Sequence, residues 1–200
     1  MELSTENIWL QFLGNMSDSI NTVISRSGQH SVQVANLGKV VAEKMGIWGN
    51  DLHQIYWGSM LHDIGKIGIP KEVLSKTGPL SNREWVMMET HPIIGANIVL
   101  ATKSLKQIIP FIQTHQERYD GQGYPYGIGG GQIPLGGRIL AVVDAYDAMT
   151  DDRPYRKGCS HKEAIQEIKR YRGSQFDPQV VDVFMEIFES RSGVNRLKPF

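Results

Sequence analysis

Met60-Leu61-His62-Asp63-Ile64-Gly65-Lys66-Ile67-Gly68-Ile69-Pro70 is the stretch on which the reading of this chain turns. An apolar helical run delivers His62 and Asp63 side by side, and Lys66 stands three residues beyond Asp63. Neighbouring side chains on a helix diverge by about 100°, so one ion does not take both easily. At a helix end the pair can instead serve two adjacent ions, or the carboxylate can bridge them. Gly65 is expected to turn the chain sharply, leaving Lys66 to reach an anion held at the metals. A bare His-Asp dipeptide at a helix C-terminus is most often a solvated pair. The distant ligands decide whether it is more.

Working outward, the pattern is helical throughout. His30 to Met45 carries Val34, Leu37, Val40 and Val41 on one face and stops at Gly46. A helix over Asp51–Leu61 feeds the His-Asp pair, and Pro70 to Leu80 reads as a loop around Gly78-Pro79. Ser81-Asn82-Arg83-Glu84 is a capping box opening the next helix, which His91-Pro92 interrupts before Ile93 to Ala101 resumes. Leu105 to Arg118 follows, with Pro110 as a bend or the true start. Tyr119 to Gly137 is a long loop rich in Gly and Pro, a length that usually serves function. Arg138 to Thr150 reads as a buried helix, Ser160-His161-Lys162-Glu163 caps another to Tyr171, and Asp177-Pro178 opens a last one to about Ser190. No segment alternates with period two, so the class is all-α.

At the N-terminus, Trp9, Leu13, Met16, Ile20 and Val23 are spaced 4, 3, 4 and 3 along a helix over Glu6–Ile24. Two heptads leave two readings open: a stalk or dimerisation seam descending from an upstream sensor, or a helix packed on its own domain.

With 40% apolar residues the chain can build one sizeable core. Its 21 basic and 21 acidic residues cancel, which argues against a DNA or RNA polymer as partner. The single cysteine, Cys159, excludes an internal disulfide framework and fits a reducing compartment. No apolar run reaches the 18–20 residues of a membrane span and no signal peptide opens the chain, so the expected location is cytoplasmic.

Metal-type ligands stand in front of, within or just after predicted helices at His30, His62 with Asp63, His91, His115 and Asp144. Imidazole nitrogen with carboxylate oxygen suits Zn, Fe or Mn. One such histidine alone would more often be a surface or satisfied core residue. His53 and His161 are read that way.

The ordered set is specific. His30, His62-Asp63-x-Gly65-Lys66, His91-Pro92, His115-x-Glu117-x-x-Asp120-Gly121-x-Gly123-Tyr124-Pro125 and Asp144-x-x-Asp147-Ala148-x-Thr150-x-x-Arg153-Pro154-Tyr155 resembles the HD-GYP family of cyclic di-GMP phosphodiesterases, in the HD superfamily of metal-dependent phosphohydrolases. The resemblance covers roughly residues 20 to 190. It implies a helical bundle with a long Gly-Tyr-Pro loop over residues 26–200, preceded by a linker or stalk over 1–25 and an upstream receiver or sensor.

Carried over, it makes His30, His62, Asp63, His91, His115 and Asp144 ligands to two divalent ions, Fe or Mn before Zn, Ni or Mg, with Asp63 as bridge. Asp63 and Lys66 would be catalytic. Lys66, Tyr124, Asp147, Arg153 and Arg156 would meet the cyclic dinucleotide, and Arg153 and Arg156 flank Pro154-Tyr155 as a local cationic surface. A hydroxide shared by the ions would open cyclic di-GMP to linear pGpG, then to GMP if the product rebinds. Glu117 is either an acceptor orienting a ligand histidine or a cap for local turns. Two positions depart from the family pattern. Gln116 stands where the family has His or Asn, leaving the second ion's shell poorer. Arg26 stands where some members place a glutamate, which argues for two metals and against three. The rivals are a catalytically weak cyclic-dinucleotide receptor, and an HD phosphohydrolase for a mononucleotide or a mixed GMP-AMP cyclic dinucleotide.

Overall fold

The computed structural model describes Gly14, residues 29–152 and residues 157–192. The expected N-terminal helix, Gly14 excepted, lies outside these residues with Arg26, as does the pair Arg153 and Arg156.

Among the described residues nine α-helices run in order: α1 (His30–Lys44), α2 (Gly49–Leu61), α3 (Lys71–Leu74), α4 (Asn82–Met88), α5 (His91–Leu100), α6 (Ile109–Thr114), α7 (Leu135–Thr150), α8 (His161–Arg170) and α9 (Pro178–Ser192). Short 3-10 turns span Ile64–Gly68, Lys103–Ile108 and Gly130–Gln132. There is no strand among the described residues; Arg172 and Phe176 form one isolated bridge. The all-α expectation holds, and both capping boxes are formed, Ser81 with Glu84 and Ser160 with Glu163.

Two helix starts, after Pro70 and Pro134, differ from expectation; at Pro110 the second of the two readings holds, and the helix there ends early. The loop after Pro70 contains α3: the Pro70 carbonyl accepts the Val73 and Leu74 N–H groups, and Val73 is buried. The segment before Pro110 tightens into a 3-10 turn, and α6 begins only at Ile109. It ends at Thr114, short of Arg118, because Glu117 and Arg118 are drawn off to hold the loop that follows. Helix α7 starts at Leu135, just after Pro134, and not at Arg138. Gly136 and Gly137 are thus helical and buried. A Cβ on Gly136 would lie 2.8 Å from the Phe111 ring, and one on Gly137 would lie 2.4 Å from Thr114 Oγ1. Two adjacent glycines in one turn let α6 and α7 approach closely.

Helix α1 lies between two apolar clusters. Val34 and Val41 face α7, α8 and α9, meeting Ile139, Val143, Ile168, Val180 and Phe184. Ala35 faces the other side, with Leu61, Ile64, Val99, Ile108 and Ile112. Burying side chains of this size contributes about 1.5–3 kcal/mol each before entropy is counted. The two clusters fix the ends of α1, α2, α5 and α6 and the middle of α7, where the polar residues converge.

Candidate metal centre and Gly-Tyr-Pro loop

His62 is the residue that ends α2, and Asp63 precedes the 3-10 turn Ile64–Gly68. His30 opens α1, His91 opens α5, and His115 ends α6. Asp144 projects from the middle of α7. Four helix ends and the middle of α7 therefore bring the expected set together.

Gly65 acts by its size. A Cβ there would sit 1.9 Å from the His91 carbonyl oxygen and 2.4 Å from the Gly95 amide nitrogen. The expected sharp turn is less important than this contact, which draws the start of α5 against the His-Asp turn.

Backbone carbonyls orient three of the four imidazoles. The Nδ1 atoms of His62, His91 and His115 each lie 2.7 Å from a carbonyl oxygen three residues earlier, those of Ser59, Met88 and Ile112. A carbonyl only accepts, so each Nδ1 carries a proton, and in the neutral imidazole each Nε2 is left with a lone pair. His30 is oriented by a side chain: its Nδ1 lies 2.6 Å from Asp147 Oδ2. Asp147, expected against the dinucleotide, is buried behind His30.

The Nε2 atoms fall into two groups divided by Asp63. Its Oδ2 lies 3.5 Å from His62 Nε2 and 3.8 Å from His30 Nε2. Asp144 Oδ1 completes that group at 3.3 Å from His30 and 3.6 Å from His62. Asp63 Oδ1 lies 3.5 Å from His91 Nε2 and 3.9 Å from His115 Nε2. Lys66 Nζ donates to Asp63 Oδ2 at 2.5 Å.

These donors fit divalent ions. His62 Nε2 and Asp63 Oδ1 are buried without any hydrogen-bond partner. His91 Nε2 and His115 Nε2 are 3.1 Å apart, and with both Nδ1 protons committed to carbonyls this sets two lone pairs face to face. A cation between them and Asp63 Oδ1 removes the repulsion.

Electrostatics separates the two groups. Burial pushes His91 down to about 4 despite the charge of Asp63. Burial, with the charges of His62 and His91, takes His115 down to about 3. Both are neutral imidazoles at ordinary pH. Burial also opposes charge on His30, but hydrogen bonds to Asp144 and Asp147 overcome it and push the imidazole up to about 10. His62 is raised too, by Asp63 and Asp144 against its burial. Asp63 is held below the carboxylate range by Lys66, His62 and His91 despite burial, and Asp144 is held down by His30 and His62.

The Gly-Tyr-Pro loop closes beside the second group. Tyr124 stands edge-on to His91 with ring centroids 6.3 Å apart, and its peptide to Pro125 is cis. Glu117 does not orient a histidine. Its buried Oε1 accepts the N–H groups of Tyr126 at 2.6 Å and Gly127 at 3.2 Å, the turn-capping alternative. The loop is also tied to the turn before α9, where Tyr119 and Asp120 donate to the carbonyls of Gln175 and Ser174. Gln175 had no sequence signal, since its partner Arg118 is 57 residues away. His53 and His161 stay outside the cluster, paired with Trp57 and Tyr146.

A family model described as an HD domain matches residues 15–180. The chain belongs to the HD domain family. A "Cyclic di-GMP phosphodiesterase" of Thermotoga maritima is 38% identical over 170 residues, covering 84% of this chain and 46% of that protein. The "Cyclic di-GMP phosphodiesterase PA4108" of Pseudomonas aeruginosa is 37% identical, covering 78% of this chain and 38% of that protein. The HD-GYP resemblance is borne out by these relatives. This HD domain chain spans less than half the length of either. A solved cyclic GMP-AMP specific phosphodiesterase of V. cholerae shares the fold, with a TM-score of 0.71, 19% identity, and coverage of 92% of this chain and 49% of that one. No helix among the described residues is long and apolar enough to cross a membrane.

Proposed function

We propose that this HD domain chain hydrolyses cyclic di-GMP to linear pGpG at a centre of two divalent ions. The observation that carries the reading is the division of four imidazole Nε2 atoms into two pairs by the two oxygens of Asp63. His30, His62, Asp144 and Asp63 Oδ2 would hold one ion, and His91, His115 and Asp63 Oδ1 the other. Bound ions of this kind neutralise charge at a phosphodiester and make water acidic enough to ionise near neutral pH. Nitrogen and carboxylate donors without thiolate favour Fe or Mn, with Zn or Ni as substitutes.

The chain's own groups then divide the remaining work. Lys66, beside Asp63, adds a cation where a phosphate would sit. Tyr124 walls the pocket on the His91 side. Arg153 and Arg156 supply the cationic surface for the second phosphodiester. Residues 26–200 form the catalytic unit and residues 1–25 the linker or stalk to an upstream module, in a protein acting on a cytoplasmic messenger.

The test is metal analysis of protein purified without a histidine tag, together with turnover under added Mn or Fe(II). About two ions per chain and release of pGpG are expected. Tight nucleotide binding with neither metal nor turnover overturns the reading in favour of a receptor. Faster turnover of a mixed GMP-AMP ring than of cyclic di-GMP overturns the substrate assignment.

A further inference from the structure

Gly14, far from the metal centre in sequence, touches the last turn of α2. It is buried and in helical backbone. A Cβ on it would lie 3.8 Å from Met60 Cγ and 3.9 Å from Trp57 Cζ3. Those are ordinary van der Waals separations, so the chain at residue 14 lies against α2 with room for one methyl group and little more.

The face it meets is already ordered. His53, Trp57 and Met60 follow one another at four and three residues, which puts them on one side of α2. Trp57 Nε1 donates to His53 Nε2 at 2.6 Å, and the Tyr56 ring stands edge-on to Trp57 with centroids 5.6 Å apart. With its one N–H satisfied, the indole is left with apolar surface to cover. A groove of about 410 Å³ shares His53 with this face and is lined further by Leu52 and Tyr56 of α2 and by Asn36 and Lys39 of α1. On a helix Leu10, four residues before Gly14, would share its side, and the groove offers room for such a side chain.

The turn beneath has a second duty. The carbonyl that accepts from His62 Nδ1 at 2.7 Å belongs to Ser59, the residue before Met60. Packing that holds Trp57 and Met60 therefore also holds the group that aims His62.

We infer that the His53–Trp57–Met60 face of α2 is the docking surface for this chain's own N-terminal segment, seated at Gly14, and that the contact steadies the aim of His62. An upstream module that pulls on the segment would then act on the metal centre through one turn of helix.

The docking is tested in Gly14→Cys with Met60→Cys, in a Cys159→Ser background, oxidised with diamide. The two positions are close enough for a disulfide, and a link within one chain is expected. A link between two chains overturns the assignment in favour of a second copy as occupant, and absence of any link overturns the contact. Gly14→Ala fits the space and should leave hydrogen exchange in α2 as in wild type. Gly14→Glu sets a charge against Met60 and Trp57 and should speed exchange of the amides from Trp57 to Leu61 about tenfold; exchange equal to wild type overturns the docking. Only the effect on His62 rests on the two-ion reading. Gly14→Glu is expected to weaken Mn binding about tenfold, and unchanged affinity beside faster exchange overturns the steadying role. Should wild type bind no metal, the two-ion reading fails by itself, and the cross-link and the exchange rates still decide the docking.

Discussion

The buried carboxylate of Glu117 accepts the backbone N–H of Tyr126 at 2.6 Å, and this bond ties the Gly-Tyr-Pro loop to the end of the helix bearing His115. Glu117→Ala leaves the Tyr126 and Gly127 N–H groups without their acceptor, a local cost of about 1–3 kcal/mol. The loop then loosens and Tyr124 loses its place beside His91. KM for the cyclic dinucleotide is expected to rise about tenfold or more while bound metal stays constant. Glu117→Gln keeps one carbonyl oxygen for both donors and should restore most of the affinity. Loss of metal in Glu117→Ala, measured by elemental analysis, would place this residue with the ion-binding groups instead.

Asp147 gives a sharper discrimination, because two roles make opposite forecasts. As the acceptor for His30 Nδ1, it fixes the tautomer and direction of a proposed ligand. Removing such a partner typically costs 10–100-fold in metal affinity. Asp147→Ala is therefore expected to bind metal weakly, with a titration midpoint shifted by that factor. Had Asp147 met the dinucleotide directly, the same variant would keep its metal and lose only KM.

Much of this was legible in the chain itself, for identifiable reasons. Helix periods, two capping boxes and the order of His and Asp positions are local features, and the helices and proposed ligands read from them are in place. What the sequence could not convey was direction. The Asp147 side chain points inward to His30 because α1 and α7 pack together, and nothing local to Asp147 states that. Gly65 read as a turn residue, yet it is needed for the approach of α5, which begins 26 residues later. Pro70 and Pro134 read as loop residues, and each stays in extended backbone (ψ 136° and 144°) as the residue directly before a helix, so the helices begin at once after them. Gln175 became visible only when the Gly-Tyr-Pro loop was seen docked on the turn before α9.

Asp63 is expected to be the least replaceable group of the centre. Its two oxygens face different imidazole pairs, so Asp63→Ala removes one donor from each proposed ion and frees Lys66. Elemental analysis should find both ions depleted and turnover at no more than a few per cent of wild type. Full loading by one ion per chain, with the other absent, would show that the carboxylate serves a single site.

Proton linkage follows from the contrast between the two imidazole groups. His30 is pushed up to about 10, so in the metal-free protein it holds a proton through the neutral range, and His62 is shifted the same way. An ion must displace those protons, since only neutral imidazole ligates. Metal affinity is expected to rise with pH through the neutral range and to level off near 10, with about one to two protons released per centre. His91 and His115, at about 4 and about 3, are already neutral and contribute nothing in that window. Calorimetric titration in buffers of different ionisation enthalpy reads the release directly. Heats that do not depend on the buffer would mean His30 is neutral before the ion arrives.

The loop's far end depends on an ion pair of a different kind. Arg138 on α7 donates to the fully buried carboxylate of Asp177, and its Nε donates to the Ile133 carbonyl at 2.9 Å. Asp177 also accepts the Gln179 N–H at 2.7 Å at the start of α9. Removing one partner strands the other, which for buried pairs costs about 3–5 kcal/mol. For a chain of this size that lowers Tm by roughly 6–20 °C, so Asp177→Ala should melt well below wild type. Replacing both partners removes the stranded charge, so Arg138→Met with Asp177→Ala should recover part of the loss. Because the pair sits away from the proposed ligands, metal content per folded molecule should match wild type in each variant. Additive losses in the double variant would mean that the two side chains stabilise the fold independently and that their contact contributes nothing.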